Sequence, residues 1–175
     1  MRDTVNKIIK KITGHSAVEG TPARVEKAAS ELFAGYNTQV HPVTYPAGMN
    51  QLIVLYNIKF LSFCEHHCLP IVGFVSVGYV SNGDVLGISK IARIVDMYAQ
   101  RFQLQERMTR EIAEHLQSIE CVLGVGIYAK ATHFCMTQRG VKKDGAEMIT
   151  RFFTGEMLTD EALKSEFLNT VLSNL

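Results

Sequence analysis

The chain is organised around the stretch Phe63-Cys64-Glu65-His66-His67-Cys68-Leu69-Pro70, in which four potential metal ligands fall within five residues. Such a run of thiols and imidazoles rarely arises from packing alone, and it is typical of a metal site. A second, smaller copy of the same chemistry lies at His133-Phe134-Cys135. We therefore expect one site that is assembled from two distant segments.

The spacing of these ligands predicts a zinc site. Residues three apart converge in a tight turn, so Cys64 and His67 can chelate one ion, with Cys135 as the third ligand from a strand. Two thiolates and one imidazole suit Zn²⁺, and three protein ligands leave a fourth position for water, as in catalytic sites. Alternatively, Cys68 closes the site as a fourth ligand and makes it structural. We expect Cys68 to be a packed thiol instead, and Cys121 a buried small hydrophobe.

Two imidazoles and a polar pair accompany the expected ligands. His66 and His133 flank them as non-ligand histidines, and an imidazole can move protons near neutral pH. His133 falls on the same predicted strand face as Cys135. Gln105 and Glu106 begin a predicted helix, where a carboxylate is favourable at the helix dipole. The functional alternative is that this pair reads the donor edge of a purine.

Several cations lie close to the ligand segments in sequence. Lys90 and Arg93 share a helix face just after Ser89, near an N-terminus where backbone donors favour anions. Arg139 follows the second ligand segment. Each cation alone is typical of a solvated surface, and spacing alone favours that interpretation for Arg24 as well. Beside a zinc site, however, the cluster indicates a phosphorylated substrate.

The bulk composition limits the class of protein. A chain of 175 residues that is 47% hydrophobic can bury one core but not two comfortable ones. Its net charge of +1 lacks the basic excess of a nucleic-acid binder, so we expect no nucleic-acid partner. No apolar run approaches about 20 residues, so we expect no membrane span. The N-terminus is polar and lacks a secretory signal, which predicts a cytoplasmic protein with reduced thiols.

Apolar spacing predicts the order of the secondary structure. It predicts helices over residues 3–12, after Thr21, after Ser89, over 105–117 and after Thr159, and strands over 51–63, 71–80, 124–136 and 147–153. Two helices, two strands, two helices, two strands and one helix indicate an α+β domain with an antiparallel sheet.

Local signals refine these boundaries. The three hydroxyl residues just named are predicted N-caps, and Pro22 is placed at the first helical position. The apolar side chains from Val25 to Phe33 are expected to form a buried stripe that ends at Gly35. Ser81-Asn82-Gly83-Asp84 predicts a hairpin turn, because Asn-Gly readily supplies positive φ.

Five segments resemble GTP cyclohydrolase I, in order from about residue 20 to the C-terminus. They are Thr21-Pro22-Ala23-Arg24-Val25, Cys64-Glu65-His66-His67, Gly87-Ile88-Ser89-Lys90-Ile91-Ala92-Arg93-Ile94-Val95, Gln103-Leu104-Gln105-Glu106-Arg107-Met108-Thr109 and His133-Phe134-Cys135-Met136-Thr137-Gln138-Arg139-Gly140-Val141. The resemblance implies a tunnelling fold, an antiparallel four-stranded sheet with two helices packed on one face after an N-terminal helical segment. It implies one domain over 1–175, with a helical part at 1–48 and a catalytic part at 49–175. It also implies a homodecamer with active sites shared between subunits.

The resemblance further implies the reaction of GTP with water to give formate and 7,8-dihydroneopterin triphosphate. Zinc would activate the water that attacks C8 of the guanine ring. The implied zinc ligands are Cys64, His67 and Cys135, and the implied proton shuttles are His133 and His66. Glu106 would hold the guanine, with Gln105 beside it, and Ser89 would assist the later sugar rearrangement. The triphosphate would be bound by four cations, of which only the last comes from another subunit: Lys90, Arg93, Arg139 and Arg24.

Some positions depart from the family pattern, and two other functions compete. Cys68 stands where an apolar residue is usual, Phe74 where a basic residue is common, and Arg151 in a segment that usually carries small hydroxyl residues. One competitor is another tunnelling-fold enzyme, such as a nitrile reductase acting on a deazapurine, which needs a cysteine nucleophile and a nicotinamide cofactor. The Cys-Glu-His-His turn argues against it. The other competitor is a non-catalytic zinc module closed by Cys68.

Overall fold

The computed structural model describes residues 1–174 of the chain. The helices are α1 (Arg2–Thr13), α2 (Thr21–Leu32), α3 (Ile88–Ala99), α4 (Gln105–Gln117), α5 (Phe134–Thr137), α6 (Glu156–Thr159) and α7 (Glu161–Leu172). The strands are β1 (Thr44–Pro46), β2 (Leu52–Cys64), β3 (Pro70–Ser81), β4 (Asp84–Leu86), β5 (Phe102–Gln103), β6 (Val122–His133) and β7 (Met148–Gly155). Among residues 1–174, no helix combines the length and apolar character needed to cross a membrane.

The main sheet has the strand order β5-β2-β3-β6-β7. Its four long strands are antiparallel neighbours, while the two-residue β5 runs parallel to the end of β2. The helices α3 and α4 pack on one face of the sheet and share one hydrophobic core with it. The predicted α+β tunnelling fold, with four antiparallel strands and two helices on one face, is therefore confirmed. The added β5 matters because it lies against Cys64.

The centre of the sheet is buried on both faces, as the unbroken burial of residues 75–81 of β3 shows. Val75, Val77 and Tyr79 belong to one hydrophobic cluster with Ile94 of α3 and Ile112 of α4. Burial of each such side chain stabilises the fold by about 1.5–3 kcal/mol. This packing fixes the two helices against the sheet and so determines where the start of α4 lies relative to the end of β6.

The other face of the sheet carries α7. Its Phe167 is fully buried against the sheet, and a Cβ placed on Gly78 would lie 2.5 Å from the Phe167 ring. The predicted helix is confirmed, but its predicted cap is wrong. Thr159 ends α6, and the Asp160 carboxylate instead accepts hydrogen bonds from two backbone N–H groups of α7, at 2.8 and 3.2 Å. A carboxylate at this position also complements the helix dipole.

The N-terminal helices contact each other and have no buried residues. The predicted buried stripe of α2 is therefore wrong within one chain, because Val25 is 39% exposed and only the end of the stripe packs on the sheet, where the Phe33 ring lies 4.8 Å from that of Phe63. The N-cap is Gly20 rather than Thr21, so Pro22 is the second helical residue. Gly35 does not end α2, which stops at Leu32, but lies in the following 3-10 turn.

Two further predictions fail at the segment before α3. Gly83 has φ 77°, as a tight turn requires, but β4 pairs with β1 rather than with β3, apart from one bridge at the turn. Ser89 is not the N-cap of α3. That position is taken by Gly87, whose carbonyl accepts the Lys90 N–H at 2.8 Å, so the helix begins one residue before the serine.

Candidate functional site

The predicted chelating turn forms directly after β2. The carbonyl of Cys64 accepts the N–H of Cys68 at 2.8 Å and that of His67 at 3.3 Å, which closes a tight turn. The Cys64 N–H in turn donates to the Leu69 carbonyl at 2.8 Å. As a result, Nδ1 of His67 lies 3.6 Å from Sγ of Cys64. The convergence expected from the Cys-x-x-His spacing is present in the structure.

The second segment reaches the same place from β6. The strand ends at His133, and residues 134–137 form one helical turn, so Cys135 does not lie on a strand as predicted. Beyond His133, which pairs with Ile71, β6 has no further partner on β3, because the chain before Ile71 turns towards Cys64. The helical turn places Sγ of Cys135 3.9 Å from Sγ of Cys64.

These distances fit zinc ligands around one ion. With Zn–S of about 2.3 Å and Zn–N of about 2.0–2.1 Å in a tetrahedron, two sulfurs lie about 3.8 Å apart and a sulfur and a nitrogen about 3.6 Å apart. The structure has 3.9 Å for Cys64–Cys135 and 3.6 Å for Cys64–His67. Among the described residues, the donor atoms that all lie within 4.8 Å of one another are those of Cys64, His66 and His67. The structure thus adds His66, predicted as a non-ligand, to the converging donors, while Cys135 is outside that group and is placed only by its distance to Cys64. The donor set therefore suits Zn²⁺.

The remaining cysteines differ from each other. Cys121 is buried in the core, as predicted. The expectation that Cys68 is packed is wrong, because this residue is exposed; its φ is 56°. Within the described residues, neither Cys68 nor Cys135 belongs to the group of converging donor atoms, but Cys135 lies 3.9 Å from the Cys64 thiol, whereas Cys68 makes no such contact. The structure thus gives no support to a four-ligand site closed by Cys68.

His133 lies behind the ligand turn, held by a glutamine. Its Nε2 is 2.8 Å from Oε1 of Gln105, the first residue of α4. Burial lowers the pKa of His133, although the nearby Glu106 carboxylate acts in the opposite direction. The ring is thereby favoured in its neutral form, which can accept a proton.

The predicted purine-reading pair is separated by the structure. Gln105 is only 1% exposed, and its amide is bonded to groups of the chain itself. Glu106 is exposed and lines a cavity of about 550 Å³ together with Thr150 and Phe152 of β7. Of the two side chains, only the carboxylate of Glu106 is free to meet a ligand in that cavity.

A residue with no predicted role, Arg107, fixes the ligand turn to α4. Its Nη2 lies 2.7 Å from the Glu65 carboxylate, inside the turn, and also donates to the Phe102 carbonyl at 3.0 Å. Its Nε donates to Oε1 of Gln103 at 2.9 Å. Arg107 lies in a quoted family segment, but a pairing with Glu65, on a distant part of the chain, leaves no signal in local spacing.

The predicted phosphate cations fall into separate places. Lys90 and Arg93 line a cavity of about 360 Å³ with His41, and Ser89 is exposed beside them. At 1.5 Å per helical residue, α3 separates Lys90 by about 14 Å and Arg93 by about 9 Å from Ala99, the end of the helix near the ligand turn. The thiols do not line the cavity that these two cations share.

The other two predicted cations differ in their surroundings. Burial, together with the neighbouring Cys64 thiol, raises the pKa of the Cys135 thiol. Arg139 lies close enough to Cys135 to lower that pKa in part. Arg24 lies on α2 and donates to Oγ1 of Thr21 at 2.8 Å and to the Glu19 carbonyl at 3.2 Å. Arg139 thus belongs to the ligand region of its own chain, whereas Arg24 belongs to the N-terminal helices.

The departures from the family pattern lie on the sheet. Phe74 is 44% exposed on β3. The guanidinium of Arg151 lies 5.6 Å from the centre of the Tyr128 ring, its neighbour across β6 and β7. Neither side chain touches the converging thiols and imidazoles.

Thiols and imidazoles lie together at one end of the sheet, and one of these imidazoles, His133, is favoured in its neutral form by burial. Such a site in an α+β fold is typical of metal-dependent enzymes. The family model described as GTP cyclohydrolase I matches residues 1–172. The chain belongs to the GTP cyclohydrolase I family, and it is a hydrolase of the class that acts on cyclic amidine C–N bonds. The family resemblance and the enzyme class predicted from the sequence are thus confirmed.

Two relatives in sequence agree with this assignment, and one solved structure is similar in part. A GTP cyclohydrolase 1 of Allorhizobium ampelinum is 45% identical over 156 residues, which cover 86% of this chain and 78% of that protein. A GTP cyclohydrolase 1 of Pseudomonas aeruginosa is 42% identical over 155 residues, which cover 86% of each. A crystal structure of an archaeosine synthase of the QueF-like type aligns with a TM-score of 0.49 at 23% identity, over 59% of this chain and 93% of that one.

Proposed function

We propose that this chain is a zinc-dependent GTP cyclohydrolase I, which hydrolyses GTP at C8 of guanine, releases formate and forms 7,8-dihydroneopterin triphosphate. The observation that carries the proposal is the pair of distances from Cys64, 3.6 Å to His67 and 3.9 Å to Cys135, which are those of ligands around one tetrahedral zinc ion. Family membership supplies the substrate and the reaction.

Cys64, His67 and Cys135 would hold the metal. When bound, zinc supplies Lewis-acid activation of water at neutral pH. The turn after β2 and the turn after β6 position the three ligands, and Arg107 holds the first turn through Glu65. We assign His66 and His133 to proton transfer as the imidazole ring of guanine opens. The neutral state of His133, favoured by burial, suits it to accept a proton first.

The substrate would bind across two regions. Glu106 would accept hydrogen bonds from the donor edge of guanine, since its carboxylate is exposed in the cavity beside β7. Arg139 would meet the triphosphate near the thiols. Lys90 and Arg93 also complement phosphate, with Ser89 beside them to assist the later sugar rearrangement.

The distribution of these cations supports an assembly with shared sites. Lys90 and Arg93 line a cavity that the thiols of their own chain do not line, and Arg24 is exposed on the N-terminal helices, which have no buried residues. We propose that they serve the active sites of neighbouring subunits in a homodecamer. We further propose that residues 1–48 form a helical part and 49–175 a catalytic part of one domain. A reducing cytoplasm would keep the ligand thiols free for zinc.

Turnover by the purified, zinc-loaded protein tests this function. We expect GTP to yield formate and a pteridine chromophore, and a chelator to abolish both. The variant His133→Ala should keep its zinc and lose turnover, because it removes a proton acceptor and not a ligand. If the protein holds zinc in full and leaves GTP untouched, the proposed reaction is wrong. If His133→Ala turns over as well as the parent protein, the proton-transfer role is wrong.

A further inference from the structure

We propose that Gln105, Thr150 and Thr109 are positioning residues that fix Nδ1 of His133 as the nitrogen that exchanges protons with the substrate. The inference rests on the proposed function and deepens it. It gives Gln105 a role in holding the catalytic histidine instead of binding the purine. It also assigns a role to two threonines that the family resemblance leaves unassigned.

The first step is the orientation of the Gln105 amide. Its Nε2 lies 3.2 Å from the carbonyl oxygen of Ala129 and 3.1 Å from that of Met148. Both are backbone oxygens that can only accept, so the amide nitrogen must face them. The reverse orientation would set Oε1 against two oxygens that cannot donate to it. Oε1 of Gln105 therefore faces His133.

The second step follows from that orientation. Nε2 of His133 lies 2.8 Å from Oε1 of Gln105, and an amide oxygen has no proton to donate. The imidazole must be the donor, so Nε2 carries the proton. In a neutral imidazole this leaves the lone pair on Nδ1. The hydrogen-bond geometry alone thus selects one tautomer, with the basic nitrogen on the side away from Gln105.

The third step explains what holds Gln105. Oγ1 of Thr109 lies 2.6 Å from the Gln105 carbonyl and can only donate to it. Oγ1 of Thr150 lies 2.7 Å from Oγ1 of Thr109, and it must be the donor, because the Thr109 proton is already used. Oγ1 of Thr150 then accepts from Nε2 of Gln105 at 3.1 Å, so the two amide protons are shared among three acceptors. The three residues form a closed cycle in which every hydroxyl donates once and accepts once.

The cycle is largely buried and bridges two elements. Gln105 and Thr109 of α4 are each 1% exposed, whereas Thr150 of β7 is half-buried and, with Thr109, lines the cavity that contains Glu106. A satisfied polar network in a low-dielectric interior holds its members in one geometry. Loss of the Thr150 hydroxyl would leave the Gln105 amide held by the two backbone oxygens alone, which would loosen the orientation that fixes the tautomer of His133.

The test compares threonine variants on the same strand. Thr150→Val removes the hydroxyl at nearly constant volume, and Thr150→Ser restores it. Thr154→Val is the matched control, because Thr154 also lies on β7 and also bonds to α4, through Oε1 of Gln117 at 2.8 Å, but does not touch the cycle. Gln105→Leu removes the acceptor itself. Each variant is measured as full-length, zinc-loaded protein.

Three measurements separate positioning from plain stability. ¹⁵N NMR of the His133 ring should show the Nε2–H tautomer in the parent protein and a mixture in Gln105→Leu. We expect kcat to fall about 10–100-fold in Gln105→Leu with KM changed less than about threefold and zinc retained. We expect a smaller kcat loss, about 3–10-fold, in Thr150→Val, with recovery in Thr150→Ser and no loss in Thr154→Val.

Several outcomes would overturn the inference. One is an Nδ1–H tautomer in the parent protein, and another is an equal kcat loss in Thr150→Val and Thr154→Val. If Gln105→Leu raises KM and leaves kcat unchanged, Gln105 contacts the substrate instead. The NMR measurement needs no turnover, so it stands even if the protein fails to convert GTP, which would refute the proposed function alone. If Gln105→Leu does not fold, the three threonine variants decide the matter.

Discussion

Replacement of Arg107 by Met should both destabilise the protein and weaken zinc binding. The variant removes the ion pair with Glu65, whose partners are 32% and 48% exposed, so solvent screening limits that loss to about 0.5 kcal/mol. It also removes hydrogen bonds to the Phe102 carbonyl and to Oε1 of the buried Gln103. These bonds and the oxygens left behind raise the total cost to about 2–3 kcal/mol.

For a chain of this length, that loss corresponds to a fall in Tm of about 4–12 °C. The freed turn should also bind zinc roughly tenfold more weakly, as is usual when a group that orients metal ligands is removed. Thermal unfolding at one protein concentration and competition with a chromogenic chelator measure the two effects.

Arg110→Met is the matched control. Arg110 lies on the same helix, and its one ion pair among residues 1–174, 3.7 Å from Glu114, joins two side chains that are more than half exposed. Its loss should cost less than about 0.5 kcal/mol and leave zinc affinity unchanged. If Arg107→Met and Arg110→Met have the same Tm, Arg107 does not hold the turn. If the two variants differ in Tm but bind zinc equally well, the ligand turn keeps its geometry without Arg107.

Three further predictions follow from the same structure. Cys135→Ala should lose zinc and turnover together, whereas Cys121→Ala, altered in the core, should keep its zinc; full turnover by Cys135→Ala would remove this ligand from the site. Glu106→Ala should raise the KM for GTP about 10–100-fold with zinc still bound. If this variant loses its zinc, the assignment of Glu106 to the substrate and not to the metal is wrong. Burial lowers the pKa of His115, which is bonded to the Tyr98 hydroxyl, below its ordinary 6.5. Because the unfolded state binds the proton more readily, the contribution of His115 to the free energy of unfolding is fully present above about pH 6.5 and is lost as the pH falls. Between about pH 7 and 5, Tm should therefore depend less on pH in His115→Asn than in the parent protein. An unchanged dependence of Tm on pH would contradict this prediction.

The long elements were predictable because burial dictates their pattern. The predicted strand over 51–63 is β2 at 52–64, and the predicted helix over 105–117 is α4 with the same bounds. In both, one face must be apolar at the period of the element, and that period is visible in the sequence.

The ends of the elements were less predictable, because partners distant in the chain decide them. Ser89, Thr21 and Thr159 were each chosen as N-caps for their hydroxyls, yet none caps a helix. At α3 the preceding Gly87 is held in extended conformation by the Val43 carbonyl, which sets the start of the helix. The placement of Cys135 on a strand failed for a similar reason, since β6 has no partner beyond His133.

The site was predictable in its chemistry but not in its supports. The convergence of Cys64, His67 and Cys135 follows from residue types and spacing. The separate roles of Gln105 and Glu106 could not be predicted in this way. Adjacent residues on a helix point in different directions, and only packing decides which one faces the interior. The tie from Arg107 to the ligand turn likewise depends on β5 and α4 meeting the end of β2.

A zinc titration of metal-free protein tests most directly whether this site opens the guanine ring. Zinc is added in steps, and the initial rate of formate release from GTP is measured at each step, with bound zinc determined in the same sample. We expect the rate to rise in proportion to bound zinc and to level off at one ion per chain, with one pteridine formed per formate. Formate release that is already complete in metal-free protein, or none at one zinc per chain, would contradict the proposed function.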